Sequence, residues 1–294
     1  MFNQKPKTFN DLPLRLVDFG RLHRANGACN DVKNPRSFTQ DDATVFAEDD
    51  MDNTNKQVKA FLQSADRVAA ALGLEMNPKY IMRPADAAQR RAGTDGQWDN
   101  AEREMGGALD ERGKEYAYNA PGLAPVGPRV EAWFKDTKGK EWQGGYIECD
   151  FELAARLGCQ YEVPEHMQEE FNNRNKDINI PEEAFAAGDL GSEAWTWKHV
   201  PPTAGNTRPL VFRRSILGPI ERFMANLIES NEGKMPLFMS SRQVLVRIDM
   251  TEMMFGMWLG RVHNYFSVNG LKSGKTEEIW AGAEFTLDMA LKKG

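Results

Sequence analysis

Residues 12–19, LPLRLVDF, alternate apolar and polar side chains, and RSFTQDDATVF (36–46) repeats the pattern. A period of two sends successive side chains to opposite faces of an extended chain. The two segments are therefore predicted antiparallel strands, joined by the polar loop 23–35. From Thr54 the period lengthens. Val58, Phe61, Leu62, Ala65, Val68, Ala69 and Leu72 recur at three and four, Thr54 and Gln57 have the spacing of a capping box, and Gly73 suits the stop. A second helix is predicted over 97–112, with Trp98, Ala101, Met105, Ala108 and Leu109 inward and Gly113 as terminator. Strands resume at 130–134 and 141–151, around the hairpin turn DTKGK.

Residues 162–207 are acidic, rich in Asn, Gly and Pro, and aperiodic, which predicts a surface excursion. Periodicity returns with a strand at 208–212 and a helix at 217–229 burying Ile220, Phe223, Met224, Leu227 and Ile228. A short strand is predicted at 243–248. Beyond it Met253, Met254, Met257, Trp258, Val262, Tyr265 and Phe266 fall at helical spacing, a stripe that suits a core or an interface better than a cofactor. This order of elements implies an α+β fold, an antiparallel sheet flanked by helices. The core is expected over 1–235, with 236–294 as a helical tail or the remnant of a further domain.

The 294 residues include 41% hydrophobic positions, enough for a sizeable core, and carry a net charge of -6. That charge argues against broad adhesion to nucleic acid, although a local basic patch could still hold RNA. Cys29, Cys149 and Cys159 have neither the pairing number of a disulfide framework nor the spacing of a zinc knuckle, and suit a reducing compartment as core residues. MFNQKPKTFNDLPLRL has no apolar signal region, and no apolar run reaches the roughly 18 residues a membrane span needs. A soluble intracellular protein without a membrane span is expected, in the cytoplasm or the mitochondrial matrix.

Asp41 and Asp42 are adjacent on one strand and so face opposite ways, which weakens any reading of them as a paired metal site and leaves a solvated strand end as the plain alternative. Their surroundings point elsewhere. Arg24 and Arg36 flank the hairpin, and a planar guanidinium is well suited to gripping phosphate. Arg222 lies in GPIERF, on an otherwise apolar helix, where a charge must be paired or face a ligand.

LPLRLVDFGRLHR, RSFTQDDATVF, GPRVEAWFKDTKGKEWQGGYIECDF and RPLVFRRSILGPIERF together resemble, in order, motif 2, the middle of the sheet and motif 3 of the catalytic domain of threonyl-tRNA synthetases, class II aminoacyl-tRNA synthetases. The resemblance implies the class II fold, with ATP and Mg as cofactors and tRNA as partner. It matches Arg24 to the arginine on the α-phosphate and Arg222 to the motif 3 arginine near the γ-phosphate, the two residues expected to be catalytic. Arg36 and Gln143 match further residues beside the nucleotide. Gln40 and Asp42 match residues near the amino acid's ammonium group, so one aspartate would face an amine while Asp41 supports the strand.

Departures from the family accompany these matches. Its members hold zinc through one cysteine and two histidines, and the metal engages the amino and hydroxyl groups of threonine. The histidine positions are Thr44 and Arg213 here, and the cysteine would lie upstream of Met1. Neither Thr44 nor Arg213 is a normal zinc ligand, and His23, His166, His199 and His263 stand elsewhere, so zinc is not expected. A tyrosine of the pocket becomes Val126, a glutamine becomes Glu148, a serine becomes Pro219, and an acidic residue near the adenine becomes Asn26. Motif 1, the editing domain and most of the anticodon-binding domain are expected to lie outside this chain.

Three functions follow as expectations: a non-catalytic synthetase-like subunit or scaffold bound to other protein chains; an active aminoacyl-tRNA ligase completed by another chain; and an RNA-binding module using Arg208, Arg213 and Arg214 with Trp195 and Trp197.

Overall fold

Alternating strand residues and two capped amphipathic helices build a six-stranded antiparallel sheet with helices packed on it. The computed structural model describes residues 1–23, 33–84, 92–122, 124–169 and 202–235, with 239, 244–245 and 273–274 beyond them. The elements of the sheet region are β1 (Leu14–His23), β2 (Ser37–Ala47), α1 (Met51–Leu72), β3 (Glu75–Ile81), α2 (Asp95–Glu111), β4 (Arg129–Lys135), β5 (Glu141–Asp150), α3 (Leu153–Arg156), β6 (Tyr161–Glu162), β7 (Asn206–Thr207), β8 (Leu210–Ser215) and α4 (Ile220–Ser230). The strand order is β1-β2-β8-β5-β4-β3. The chain divides into two compact units, Met1–Asn226 and Leu227–Gly294. In the second, β9 (Val244–Leu245) pairs in parallel with β10 (Ser273–Gly274). Near the two ends of the expected excursion the chain pairs in a small ladder, Tyr161 opposite Thr207 and Glu162 opposite Asn206.

The β1 and β2 pairing runs from Leu14 opposite Phe46 to His23 opposite Ser37, as the alternation predicts. On α2, Trp98, Ala101, Met105, Ala108 and Leu109 are all buried. Thr94 Oγ1 accepts from Gln97 N at 3.2 Å, while Gln97 Oε1 accepts from Thr94 N at 3.0 Å, a reciprocal cap on this helix. Thr94→Ala should lower stability by about 1 kcal/mol, read from a urea midpoint.

Several expectations need correction. Helix α1 starts at Met51 with Asp50 as N-cap, not at Thr54. Thr54 and Gln57, taken as a capping box, are instead 3% exposed within the helix. Strand β3 was not anticipated. Its EMNPKYI carries Pro78, which removes a ladder donor, and an edge strand tolerates that. Ile228, expected inward on α4, is 44% exposed, while Phe223 is buried and packs edge-on to Phe134 at 5.3 Å. Cys149 and Cys159 are buried free thiols. The Met and aromatic stripe of the tail, Cys29, Trp195, Trp197, His199 and His263 lie outside the described residues. Among the described residues, no helix is long and apolar enough to cross a membrane.

Candidate functional site

Register assembles residues that lie far apart in sequence. Thr44 on β2 is opposite Arg213 on β8, Arg213 is opposite Glu148 on β5, and Glu148 is opposite Arg129 on β4. Paired residues share a face of a sheet. This row therefore lies on the face opposite the one bearing Val45, Phe212 and Cys149, all buried in the core. Arg213 donates from Nη1 to Asp150 Oδ2 at 3.4 Å and from Nη2 to the Tyr146 hydroxyl at 3.5 Å. Arg129 pairs with Glu131 at 3.0 Å and lies over the Tyr146 ring, 5.6 Å from its centroid. Trp133 Nε1 donates to Glu131 Oε2 at 3.0 Å, and the Lys79 ammonium lies 3.3 Å from the Trp133 ring centroid.

Burial dominates the electrostatics of this row. Glu148 is 5% exposed, and desolvation pushes its carboxyl up to about 7. The cations Arg129 and Arg213 oppose that shift, and the carboxylates Asp150 and Glu131 add to it. Desolvation also raises the Tyr146 phenol. Burial works against the charge on Arg213, but Tyr146, Glu148 and Asp150 outweigh it and hold the guanidinium more firmly protonated than usual.

The adjacent aspartates separate as strand geometry requires. Asp41 accepts from the Ser215 hydroxyl at 2.6 Å, from Ile216 N at 2.8 Å and from Leu217 N at 3.1 Å, and so ties down the turn between β8 and α4. Ser215 Oγ in turn accepts from Gly218 N at 2.9 Å. Asp42, one residue on, accepts at Oδ1 from Gln40 Nε2 at 2.6 Å. The first turn of α4 reaches back to β2: Thr39 N donates to the two carboxylate oxygens of Glu221 at 3.0 and 2.9 Å, and Gln40 bridges Pro219. Sequence reasoning passed over Glu221, whose place beside Arg222 in the helix's first turn was the available signal.

Backbone proximity places Arg222. Gly218 has φ +70, and a Cβ built on it would lie 2.5 Å from Gly144 O and 3.5 Å from Arg222 Nη2. Gly145 admits the same turn, because a Cβ there would lie 1.8 Å from Ser215 O. The ladder of β4 and β5 changes register between Glu131 and Trp133, and Gln143 pairs with Trp133 just before the two glycines. The structure thus brings Arg222 to the same end of the sheet as Gly144 and its neighbour Gln143. Arg36 is exposed immediately before β2, four residues or roughly 13 Å of extended chain from Gln40. Arg24 and Asn26 lie outside the described residues. Arg222 and Gln143 thus lie at one end of the sheet, where Gly144, Gly145 and Gly218 let β5 and the turn between β8 and α4 approach closely.

The zinc positions are a different case. Thr44 and Arg213 do stand opposite each other, but a hydroxyl and a guanidinium do not make a zinc donor set, and the positive charge opposes a cation there. Val126 is 9% exposed, and its carbonyl accepts from Phe151 N at 2.9 Å. The expected basic cluster divides between faces: Arg213 and Arg214 alternate across β8, with Arg214 opposite Ala43 and Ile147. Burial lowers the pKa of both Arg208 and Arg214.

Comparison with known proteins agrees with this architecture. The family profile described as tRNA synthetase class II core domain (G, H, P, S and T) matches residues 1–174. The threonine--tRNA ligase of Maricaulis maris is 33% identical over 248 residues, which cover 84% of this chain and 32% of that protein. The ligase of Rhodospirillum rubrum is 34% identical over 249 residues with the same coverage. The chain therefore spans about a third of the length of these relatives. Among solved structures, the RNA binding domain of threonyl-tRNA synthetase from Cryptosporidium parvum aligns with a TM-score of 0.73 at 24% identity, over 100% of this chain and 62% of that one. A putative threonyl-tRNA synthetase from Aeropyrum pernix aligns with a TM-score of 0.61 at 18% identity, over 96% and 56%. With the profile covering more than half of its length, the chain belongs to the class II tRNA synthetase core-domain family (G, H, P, S and T), and it is similar to threonine--tRNA ligases within it.

Proposed function

We propose that this domain binds ATP with Mg on the open face of its sheet and acts as a non-catalytic, threonyl-tRNA synthetase-like subunit of a larger assembly. The observation that carries this reading is the pairing of Thr44 with Arg213 where the family's metal ligands are expected. The phosphate-facing side retains Arg36, Gln143 and Arg222, while the group that would seat the metal and read threonine is replaced by a fixed organic cation. The exposed apolar residues Val17 (64%) and Phe19 (67%) on the edge strand β1 support a partner chain, since an uncovered apolar edge invites association.

Titration of the chain with ATP and Mg should show binding, and Arg222→Ala should weaken it by on the order of tenfold, as loss of a charge-assisted phosphate contact does. Pyrophosphate exchange with each amino acid in turn should show no turnover. Absence of ATP binding would remove the nucleotide assignment, and threonine-dependent exchange by the chain alone would remove the non-catalytic one.

An active aminoacyl-tRNA ligase completed by another chain is the second reading. The bond between Gln40 and Asp42 favours it, because it holds a carboxylate on the open face where an amino acid's ammonium would sit. An RNA-binding role is the third reading, since the Cryptosporidium neighbour is an RNA binding domain. The division of Arg213 and Arg214 between two faces argues against a single basic patch for tRNA or other RNA.

A further inference from the structure

The charged groups on the open face are unequally used. Arg129 is paired with Glu131 at 3.0 Å and Arg213 with Asp150 at 3.4 Å. Glu148, between the two arginines in register, is 5% exposed and accepts no hydrogen bond among the described residues. A buried carboxyl without a donor destabilises its surroundings, and a ligand that brings a donor relieves that cost. Beside it, the Arg213 side chain is 45% exposed and carries five N–H donors, of which the contacts to Asp150 and Tyr146 engage two.

From this juxtaposition we infer that Arg213 and Glu148 form a metal-free recognition pair for a neutral ligand group carrying both an acceptor and a donor, a carboxamide or a hydroxyl. The acceptor oxygen takes an N–H of Arg213, and the N–H or O–H of the ligand is given to the Glu148 carboxylate. The mixed charge around Glu148 favours a neutral group. An anion would meet Arg129 and Arg213 but also Glu131, Glu148 and Asp150, and an ammonium would meet those three carboxyls but also the two arginines. The neutral polar group satisfies both members of the pair at once. The Tyr146 hydroxyl, already bonded to Arg213, fixes the guanidinium plane against which the ligand would lie.

This inference rests on the reading that the open face holds a small ligand, and ATP binding is measured separately so that the two can fail independently. Calorimetric titration of the full chain would compare L-asparagine with L-leucine, which has nearly the same shape, L-serine with L-alanine, and L-asparagine with L-aspartate. The pair predicts that asparagine or serine binds at least tenfold more tightly than its apolar counterpart, and that aspartate binds more weakly than asparagine. A preference within the first comparison identifies a carboxamide ligand, and one within the second a hydroxyl ligand. Arg213→Met and Glu148→Leu, each checked for a near-native melting temperature, should abolish that preference. In the wild type the preference should grow from pH 6 to pH 8 as Glu148 ionises, and Glu148→Gln should flatten that profile. ATP binding without either preference would overturn the pair and leave the nucleotide reading standing, as would a preference that survives in both variants. Binding of a polar probe without ATP would support the pair and overturn the nucleotide reading.

Discussion

Asp41→Ala should lower the unfolding free energy by about 2–4 kcal/mol, whereas Asp42→Ala, one residue along, should change it by less than about 1 kcal/mol. The contrast follows from where each carboxylate goes. Asp41 accepts from one hydroxyl and two backbone N–H groups in the turn from β8 to α4, and alanine leaves those donors without their acceptor. Asp42 engages the flexible amide of Gln40, which can turn to water when the carboxylate is removed. Asp41→Asn keeps one acceptor oxygen and should fall about midway. Because the same turn leads into Glu221 and Arg222, Asp41→Ala should also weaken the proposed ATP binding, although Asp41 lies on the face of β2 opposite Asp42 and Thr44. Urea denaturation and an ATP titration on the three variants read both effects. Equal losses in the two alanine variants would show that Asp41 is not the fastening of this turn.

Much of this arrangement is written in local patterns. Period two located β1 and β2, the runs on either side of the DTKGK turn gave β4 and β5, and the spacing of Trp98, Ala101, Met105, Ala108 and Leu109 gave the buried face of α2 residue by residue. Local pattern failed where polar residues have tertiary partners. Asn53, near the start of α1, donates to Glu48 O and is 8% exposed, so the polar run that resembles a cap is the buried first turn of a helix already begun. Pro78 concealed β3, because a proline argues against a strand until the strand is known to lie at an edge. The site was legible as a set of residues but not as a geometry. Periodicity assigns a side chain to a face, while the meeting of Thr44, Arg213, Glu148 and Arg129 depends on register across four strands, one of which follows the long excursion. The adjacent glycines of β5, which the sequence reading passed over, are where Ser215 and Gly218 approach.

Glu148→Gln should stabilise the protein at pH 8 by about 1–3 kcal/mol and leave it nearly unchanged at pH 5. In the unfolded chain the carboxyl has its ordinary pKa of 4.5; in the folded protein burial pushes it up to about 7, against the pull of Arg129 and Arg213. Between these values the folded state holds a proton that the unfolded state has released. Wild-type stability therefore falls as pH rises through this window, and above about 7 the full cost of a buried carboxylate is present. Glutamine preserves the shape and carries no charge, so the variant lacks that decline. Urea midpoints measured from pH 5 to pH 8 should diverge through the window and run parallel above it, while a constant offset would mean that the carboxyl ionises normally in the folded state. If a ligand donor engages Glu148, saturating ligand should narrow the gap at pH 8, because the ligand supplies in the folded state the hydrogen bond that desolvation removed.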